Sequence, residues 1–544
     1  MAAPFRNFRL TACAAALLLG AIAHADAQTA ASLYLGSKST YAPGQDPASY
    51  EAPPTGFAPI YTEIVARHGS RGLSSASSDL ALYSMWTAAN AAGALTKLGK
   101  SLGPDLQRVT RANALLGYGV SGISAPGYGN LTQVGIAEHQ GLAARMAARV
   151  SPLLGNAAAA AAQAQTAPRQ IVVSTSGVNR AIDSSNFFTQ SLAATVPGIA
   201  PLIVKSPALT AYPTNKPVAQ AAGVNRFELY FHKLAAGTDL PATTDAYYPV
   251  YQSSRAYQSY LASDATMNGK VNGLVYGAAS KAAARAALAT IFTASFLDAL
   301  DAGTTHYANT GSYTFTSDDG LFTTTVTGDG GTTLANLVDA ANALYGVYAI
   351  TPAMVKEVPV SFAKYLPTVP LQTLAYVSDL QDFYQKGPGI AEAGDINSRM
   401  SQALLDDFFK EVDAIAAGNL AHAAKLRFTH AEIIIPFATR LGLPWASTAV
   451  PQAQDYRYET NDWRGERVAP LAANVQWDVF TNGSGTLLVK MYYNEKETDF
   501  PPACEAARYL AGSASHYYEY TRLTSCYGHA AAAAVANVRA SIKR

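Results

Sequence analysis

Three short apolar runs each stop at a cluster of charged or nucleophilic residues and pass into a helical pattern, and this repeated junction most constrains the fold. The runs span residues 60–66, 170–174 and 425–429, and all three read as short strands. The first ends in Arg67-His68-Gly69-Ser70-Arg71, the second runs on to Asn179-Arg180, and the third ends in His430-Ala431-Glu432. Helical patterns follow at 178–192 and at 431–441, the latter closed by Gly442 and expected to kink or split at Pro436. Such alternation predicts an α/β fold: a central mixed, largely parallel sheet flanked by helices. The carboxyl ends of the strands then line one edge, where ligands bind, so strands that share a sheet bring the three clusters together.

The 544 residues exceed one typical core and suggest two domains, one inserted in the other. Residues 28–195 and 366–544 are assigned to the α/β core, and 196–365 to an inserted, mainly helical cap domain with Tyr-rich and Ala-rich stretches. Within the insert, residues 303–333 alternate as a small β-ribbon. Asp318, Asp319 and Asp329 lack the spacing of a calcium loop and read as solvated turn acids. Residues 37–59 form an irregular arm, 131–149 a helix capped by Thr132, and 156–168 an Ala/Gln helix extension or linker. Strand-like runs at 475–480 and 486–493 flank Asn482-Gly483-Ser484-Gly485 as a hairpin.

At the N-terminus, Arg6 and Arg9 precede an apolar stretch at 10–23 and the small-residue patterns Ala23-His24-Ala25 and Ala25-Asp26-Ala27. That is the layout of a cleaved secretory signal over 1–27, too short to span a bilayer, and it predicts a secreted or periplasmic protein. Leu10-Thr11-Ala12-Cys13 resembles a lipoprotein cleavage site but precedes most of the apolar segment, and no later stretch is apolar enough for a membrane anchor. Cleavage would remove Cys13. Cys504 and Cys526 then pair in an oxidising compartment, stabilising the fold by roughly 3 kcal/mol, or remain two separate buried thiols. Neither has His or acidic neighbours at ligand spacing, so neither a metal nor a cofactor is expected. With 49% hydrophobic and 14% charged residues the chain is globular, and a net charge of +1 offers no field for nucleic acid. An anion site must be built from a few local bases.

Phosphoryl transfer asks for an in-line nucleophile, cations around the equatorial oxygens and an acid for the leaving alkoxide. His68 is the nucleophile of the group that is neutral near pH 6 and still forms a covalent phospho-enzyme, and Gly69 permits close approach. Arg67, Arg71 and Arg180 supply planar forks for phosphate oxygens. Glu432, in the first turn of its helix, leans over the ester as proton donor, and His430 donates to a phosphate oxygen. Its helix dipole would lower the Glu432 pKa, while burial and bound phosphate would raise it. The first motif arises by chance in about a few such chains per thousand, whereas His-Ala-Glu and a lone arginine are weak signals lifted by their shared context. His139, His232, His306, His422, His516 and His529 read as ordinary core or surface histidines.

These residues resemble the histidine acid phosphatases, which carry an early Arg-His-Gly-x-Arg run and a late His-plus-acid motif. The late motif in most members is His-Asp, whereas His430-Ala431-Glu432 is similar to that of the multiple inositol polyphosphate phosphatases. Residues 131–135, 174–188 with Arg180 and Ser184-Ser185, 469–474 and 494–496 resemble further segments of that subgroup. The resemblance implies an α/β core with a helical cap, a phosphohistidine intermediate, and inositol phosphates such as phytate as small-molecule substrates. Carried over, His68 is the nucleophile, Glu432 the proton donor, and Arg67, Arg71, Arg180 and His430 the phosphate clamp. Gly72-Leu73 departs from the aromatic and proline of many relatives. In the insert, Lys216, Arg226, Lys233 and Arg255 are either contacts for further phosphates or solvated bases. The rival readings are a broad-specificity histidine acid phosphatase and a non-catalytic exported anion-binding protein; a binder has no use for an acid beside its anion.

Overall fold

The computed structural model describes residues 34–163, 168–209 and 220–529; the expected signal over 1–27 and Lys216 lie outside them. Its strands are β1 (Ala58–Arg67), β2 (Gln170–Thr175), β3 (Ile203–Lys205), β4 (Tyr307–Ala308), β5 (Ser312–Thr316), β6 (Thr323–Thr327), β7 (Thr333–Leu334), β8 (His422–Thr429), β9 (Asn474–Thr481), β10 (Leu487–Tyr493), β11 (Lys496–Thr498) and β12 (Tyr517–Glu519). The helices that frame the site are α1 (Gln133–Arg149), α2 (Asn179–Thr195), α3 (Thr368–Gln385), α4 (Gln402–Ala416) and α5 (Ala431–Arg440).

Among the described residues the main sheet has eight strands in the order β11-β10-β9-β1-β8-β2-β3, with β12 beside β10. It is the mixed sheet that the sequence predicts. β1, β8, β2 and β3 run parallel, and β9 joins the other edge of β1 antiparallel and turns into β10 as the expected hairpin. Parallel strands covered by helices on both faces need apolar side chains on both, and residues 61–67 of β1 are all buried. Helices α1 and α2 pack against one another and share a core with β1, β2 and β8, to which Ile64, Leu142, Ile171, Phe188 and Leu426 contribute.

Register decides where the chemistry falls. Arg67 pairs with Thr429, and Thr175 pairs with Phe428, so β1, β8 and β2 end flush. The three junctions therefore open onto one edge.

Local rules hold in most places. Thr132 caps α1, its hydroxyl accepting from Gly135 N at 3.2 Å. Gly442, at φ +75°, ends α5 in the left-handed conformation that spares a glycine. Pro436 does not split that helix: α5 continues to Arg440, anchored by the buried Ile433, Ile434, Ile435 and Phe437. The expected ribbon is present as the β5–β6 hairpin, and β4 pairs antiparallel with β7. Between β3 and α3 the described chain is otherwise mainly helical, including Tyr248–Ser263, Ala265–Val275, Ala278–Leu288 and Leu337–Ile350. Cys504 and Cys526 form a disulfide joining the turn Pro502–Ala507 to the helix Tyr520–Cys526.

Candidate active site

The loop leaving β1 is stitched into the sheet although it is no longer strand. Arg67 N donates to Ala473 O at 2.7 Å, His68 N to Thr429 O at 2.8 Å, and Ala472 N returns to His68 O at 3.0 Å. Glu138 on α1 receives Ser70 N and Ser70 Oγ at 2.6 and 2.7 Å, and Gly69 N donates to Ser184 Oγ on α2 at 3.2 Å. Gly69 is required by close backbone approach: a Cβ there would lie 2.5 Å from Gly135 O, and one on Gly135 would collide with Ser70 O. The segment 131–135 thus seats the loop. Gly72 is likewise filled by its neighbours, since a Cβ there would run into Asn113 and Leu116.

His68 is 2% exposed, and its Nδ1 lies 3.0 Å from Gly69 O. A carbonyl only accepts, so Nδ1 carries the hydrogen and Nε2 keeps its lone pair. Burial, reinforced by Arg180 and Arg67, holds the ring well below the ordinary histidine pKa, so it is neutral. A neutral, oriented imidazole is the state that a nucleophile requires.

Around it stand cations that the protein does not fully engage. Arg67, 2% exposed, is anchored through Nη1 to Ser37 O and Ala469 O, each at 2.5 Å. Arg71 Nη1 donates to Gly72 O at 2.6 Å. The Nε atoms of Arg67, Arg71 and Arg180 are all buried without a partner. Burial lowers all three pKa values, Arg67 to about 10 and Arg71 to about 9, with Arg180 adding repulsion to both. They remain charged at neutral pH. Buried donors without partners cost free energy unless a ligand supplies acceptors.

His430, 1% exposed, caps α5, and its ring lies 5.3 Å from that of His68. Its Nε2 is 2.8 Å from Ser176 Oγ, while Nδ1 has no partner. The Ser176 hydroxyl, which accepts from Val178 N at 3.3 Å, can give its proton to Nε2 and leave Nδ1–H free to donate.

Glu432 occupies the first turn of α5, with Lys386 Nζ 3.5 Å from its Oε1. Burial pushes its carboxyl up, but Lys386, His232 and His430 outweigh this and hold it well below the usual carboxylate range. In the free pocket it is an anion. Lys386 is itself fixed by Asp382, 2.8 Å away on α3, and its ammonium is held above the ordinary lysine value despite burial.

The structure thus brings together His68, Arg67, Arg71, Arg180, His430 and Glu432, and adds residues with no local motif. Ser176, Lys386 and Asp382 are among these, and His232, read from the sequence as a core or surface histidine, lies beside them. It is buried with its ring 6.5 Å from that of His430, and burial lowers its pKa to about 4. His422, His516 and His529 instead pair with Glu411, Asp499 and Asp413, each at 2.8 Å. Among the described residues no group of three or more His, Cys, Asp or Glu is placed to hold a metal, and no helix is long and apolar enough to cross a membrane.

A family model for the histidine phosphatase superfamily (branch 2) matches residues 328–494, the stretch that contains His430 and Glu432. Crystal structures of the Bifidobacterium longum multiple inositol polyphosphate phosphatase, in complex with inositol hexasulfate and in the apo form, are 30% and 31% identical to this chain. Each alignment covers 91% of this chain and 97% of the other, with TM-scores of 0.76 and 0.77. The phytase from D. castellii, 13% identical, shares the fold at a TM-score of 0.54 over 92% of this chain and 89% of its own. No curated protein matches the chain.

Proposed function

We propose, since the chain belongs to the histidine phosphatase superfamily (branch 2), that it is an exported phosphoric monoester hydrolase that removes phosphate from inositol polyphosphates such as phytate. One observation carries this reading: a neutral histidine with a free Nε2 is ringed by four buried donors without protein partners, the Nε atoms of three arginines and His430 Nδ1. That arrangement suits a tetrahedral oxyanion in contact with a nucleophile.

In the first step His68 Nε2 forms a bond to phosphorus as the ester P–O bond breaks, and Glu432 gives its proton to the leaving oxygen. Water then attacks the phosphohistidine, the P–N bond breaks, and the Glu432 carboxylate takes the water's proton. Arg67, Arg71, Arg180 and His430 hold the equatorial oxygens throughout. Glu432 must enter this cycle protonated although the free pocket keeps it ionised. A phosphate dianion arriving beside it supplies the change, because a like charge raises a carboxyl pKa. Substrate thus loads its own acid.

Residues 196–365 serve as a mainly helical cap over the substrate, and residues 1–27 as the leader; N-terminal sequencing of the mature protein checks the latter. The Cys504–Cys526 disulfide supports an oxidising compartment.

The decisive experiment mixes enzyme briefly with phytate, quenches in base, which preserves phosphohistidine, and maps the phosphate. Label on the peptide containing His68 is expected. Turnover with no label there overturns the mechanism. Faster hydrolysis of simple aryl monoesters than of phytate moves the substrate class to a broad-specificity acid phosphatase.

A further inference from the structure

We infer that Lys38, on the N-terminal arm, binds a second phosphate group next to the one being transferred, and so selects substrates that carry several phosphates over simple monoesters. The inference rests on the pocket being a phosphate-transfer site.

The arm is fixed against the end of β1. Arg67 Nη1 donates to Ser37 O at 2.5 Å, and Ser37 Oγ donates to Asp382 Oδ2 at 2.8 Å. Gly36, at φ +53°, packs so closely on α3 that a Cβ would lie 2.7 Å from Asp379 Oδ1. The turn Gly36–Lys38 therefore holds Lys38 at the pocket, next in sequence to the residue that grips both Arg67 and α3.

Its charges are unbalanced there. The Lys38 ammonium is repelled by Arg67, Arg71 and Lys386, with Asp382 as the opposing acid. Both oxygens of that acid are engaged, Oδ2 by Ser37 and Oδ1 by Lys386 Nζ at 2.8 Å. Among the described residues the Lys38 ammonium is left without an ion pair. Burial and the two arginines lower its pKa to about 7, so that it is poised to lose the proton that an anion would make it keep.

One phosphate dianion already meets three arginines. A fourth cation at the rim exceeds what a monoester needs, but matches a phosphate on the adjacent carbon of a polyphosphorylated ring. The basic residues expected in the insert compare poorly. Arg226 is bound by Asp239 at 2.6 and 3.0 Å and covers the Tyr230 ring, and Lys233 and Arg255 are exposed.

The test uses aryl phosphate hydrolysis by the full chain and compares inhibition by myo-inositol hexasulfate with inhibition by inorganic phosphate. At pH 6, Lys38→Met is expected to raise the ratio of the two inhibition constants roughly tenfold, as loss of a charge-assisted contact would. Lys38→Arg should restore the ratio, and at pH 8 it should bind hexasulfate more tightly than the wild type, whose Lys38 is then largely neutral. Equal change in both constants places Lys38 in the primary clamp, and no change in either removes it from the site; both results overturn the inference. An enzyme that hydrolyses aryl phosphates but not phytate would sink the proposed substrate and still leave this inhibition test readable.

Discussion

β1 and β8 carry buried charge at two levels, and the two clusters differ in kind. Midway along the strands, Arg427 is gripped by Glu63 at 3.0 Å and by Asp407 at 2.6 and 2.8 Å. Lys425 beside it bonds Asp407 at 2.7 Å and Glu411 at 2.9 Å. Every cation there has an acid, and only Glu63 Oε1 among the carboxylate oxygens goes unpartnered. At the strand ends Arg67, Arg71, Arg180, Lys38 and Lys386 outnumber Glu432, Asp382 and Glu138, and the three arginines keep buried donors unengaged. Burial of charge does not mark a site. Burial without compensation does, because the cost is recovered only when a ligand of opposite sign arrives.

The widest test of that contrast is His68→Ala. Hydrolysis should fall by roughly 10⁴-fold or more, as nucleophile removal does elsewhere, with circular dichroism unchanged. Retained activity would mean that His68 is not the nucleophile. Next comes Glu432→Gln, which should cost about 10²- to 10³-fold on phytate and far less on aryl phosphates, whose leaving groups need no proton. Equal losses on both would remove Glu432 as the acid. Smallest in its effect on turnover is Asp407→Ala in the balanced cluster. It leaves Arg427 and Lys425 short of an acid and should destabilise the fold by about 3 kcal/mol in denaturant titration, with turnover per folded molecule kept. A neutral effect on stability would break the comparison.

The two clusters also differ in their response to acid. Lys425 and Arg427 hold Asp407 well below the usual carboxylate range, and His422 with Lys425 brings Glu411 down to about 2 despite burial. The contribution of Asp407 and Glu411 is present above the unfolded carboxylate pKa and is lost only as pH falls toward about 2, whereas burial pushes the Glu63 carboxyl well above the usual range. The Asp407 and Glu411 ion pairs behind the pocket therefore persist in acid conditions in which His68 is still neutral.

Much of this was legible in the sequence because it is local. Apolar runs ending in Arg67-His68 and His430-Ala431-Glu432 predict both the strands and the residues at their ends. Lys386, Asp382, His232, Ser176 and Lys38 escaped because no pattern surrounds them: the end of α3, the turn Phe231–Lys233, the loop after β2 and the arm bring them in by tertiary packing. Even the role of Gly69 was only half visible, since its close neighbour is the backbone of Gly135, some sixty residues on. At Pro436, where a kink or a split is expected, the helix is not split, and Ile433, Ile434, Ile435 and Phe437 are buried on both sides of the proline.

The flush ending of β1, β8 and β2, with Arg67 beside Thr429 and Thr175 beside Phe428, limits how this chain can vary in length. Inserting or deleting one residue within any of these strands displaces its junction by about 3.3 Å, more than the span of a hydrogen bond, and turns every following side chain to the opposite face. The three strands can exchange side chains but cannot grow or shrink. Additions are confined to the connections, such as the one that carries the β5–β6 hairpin.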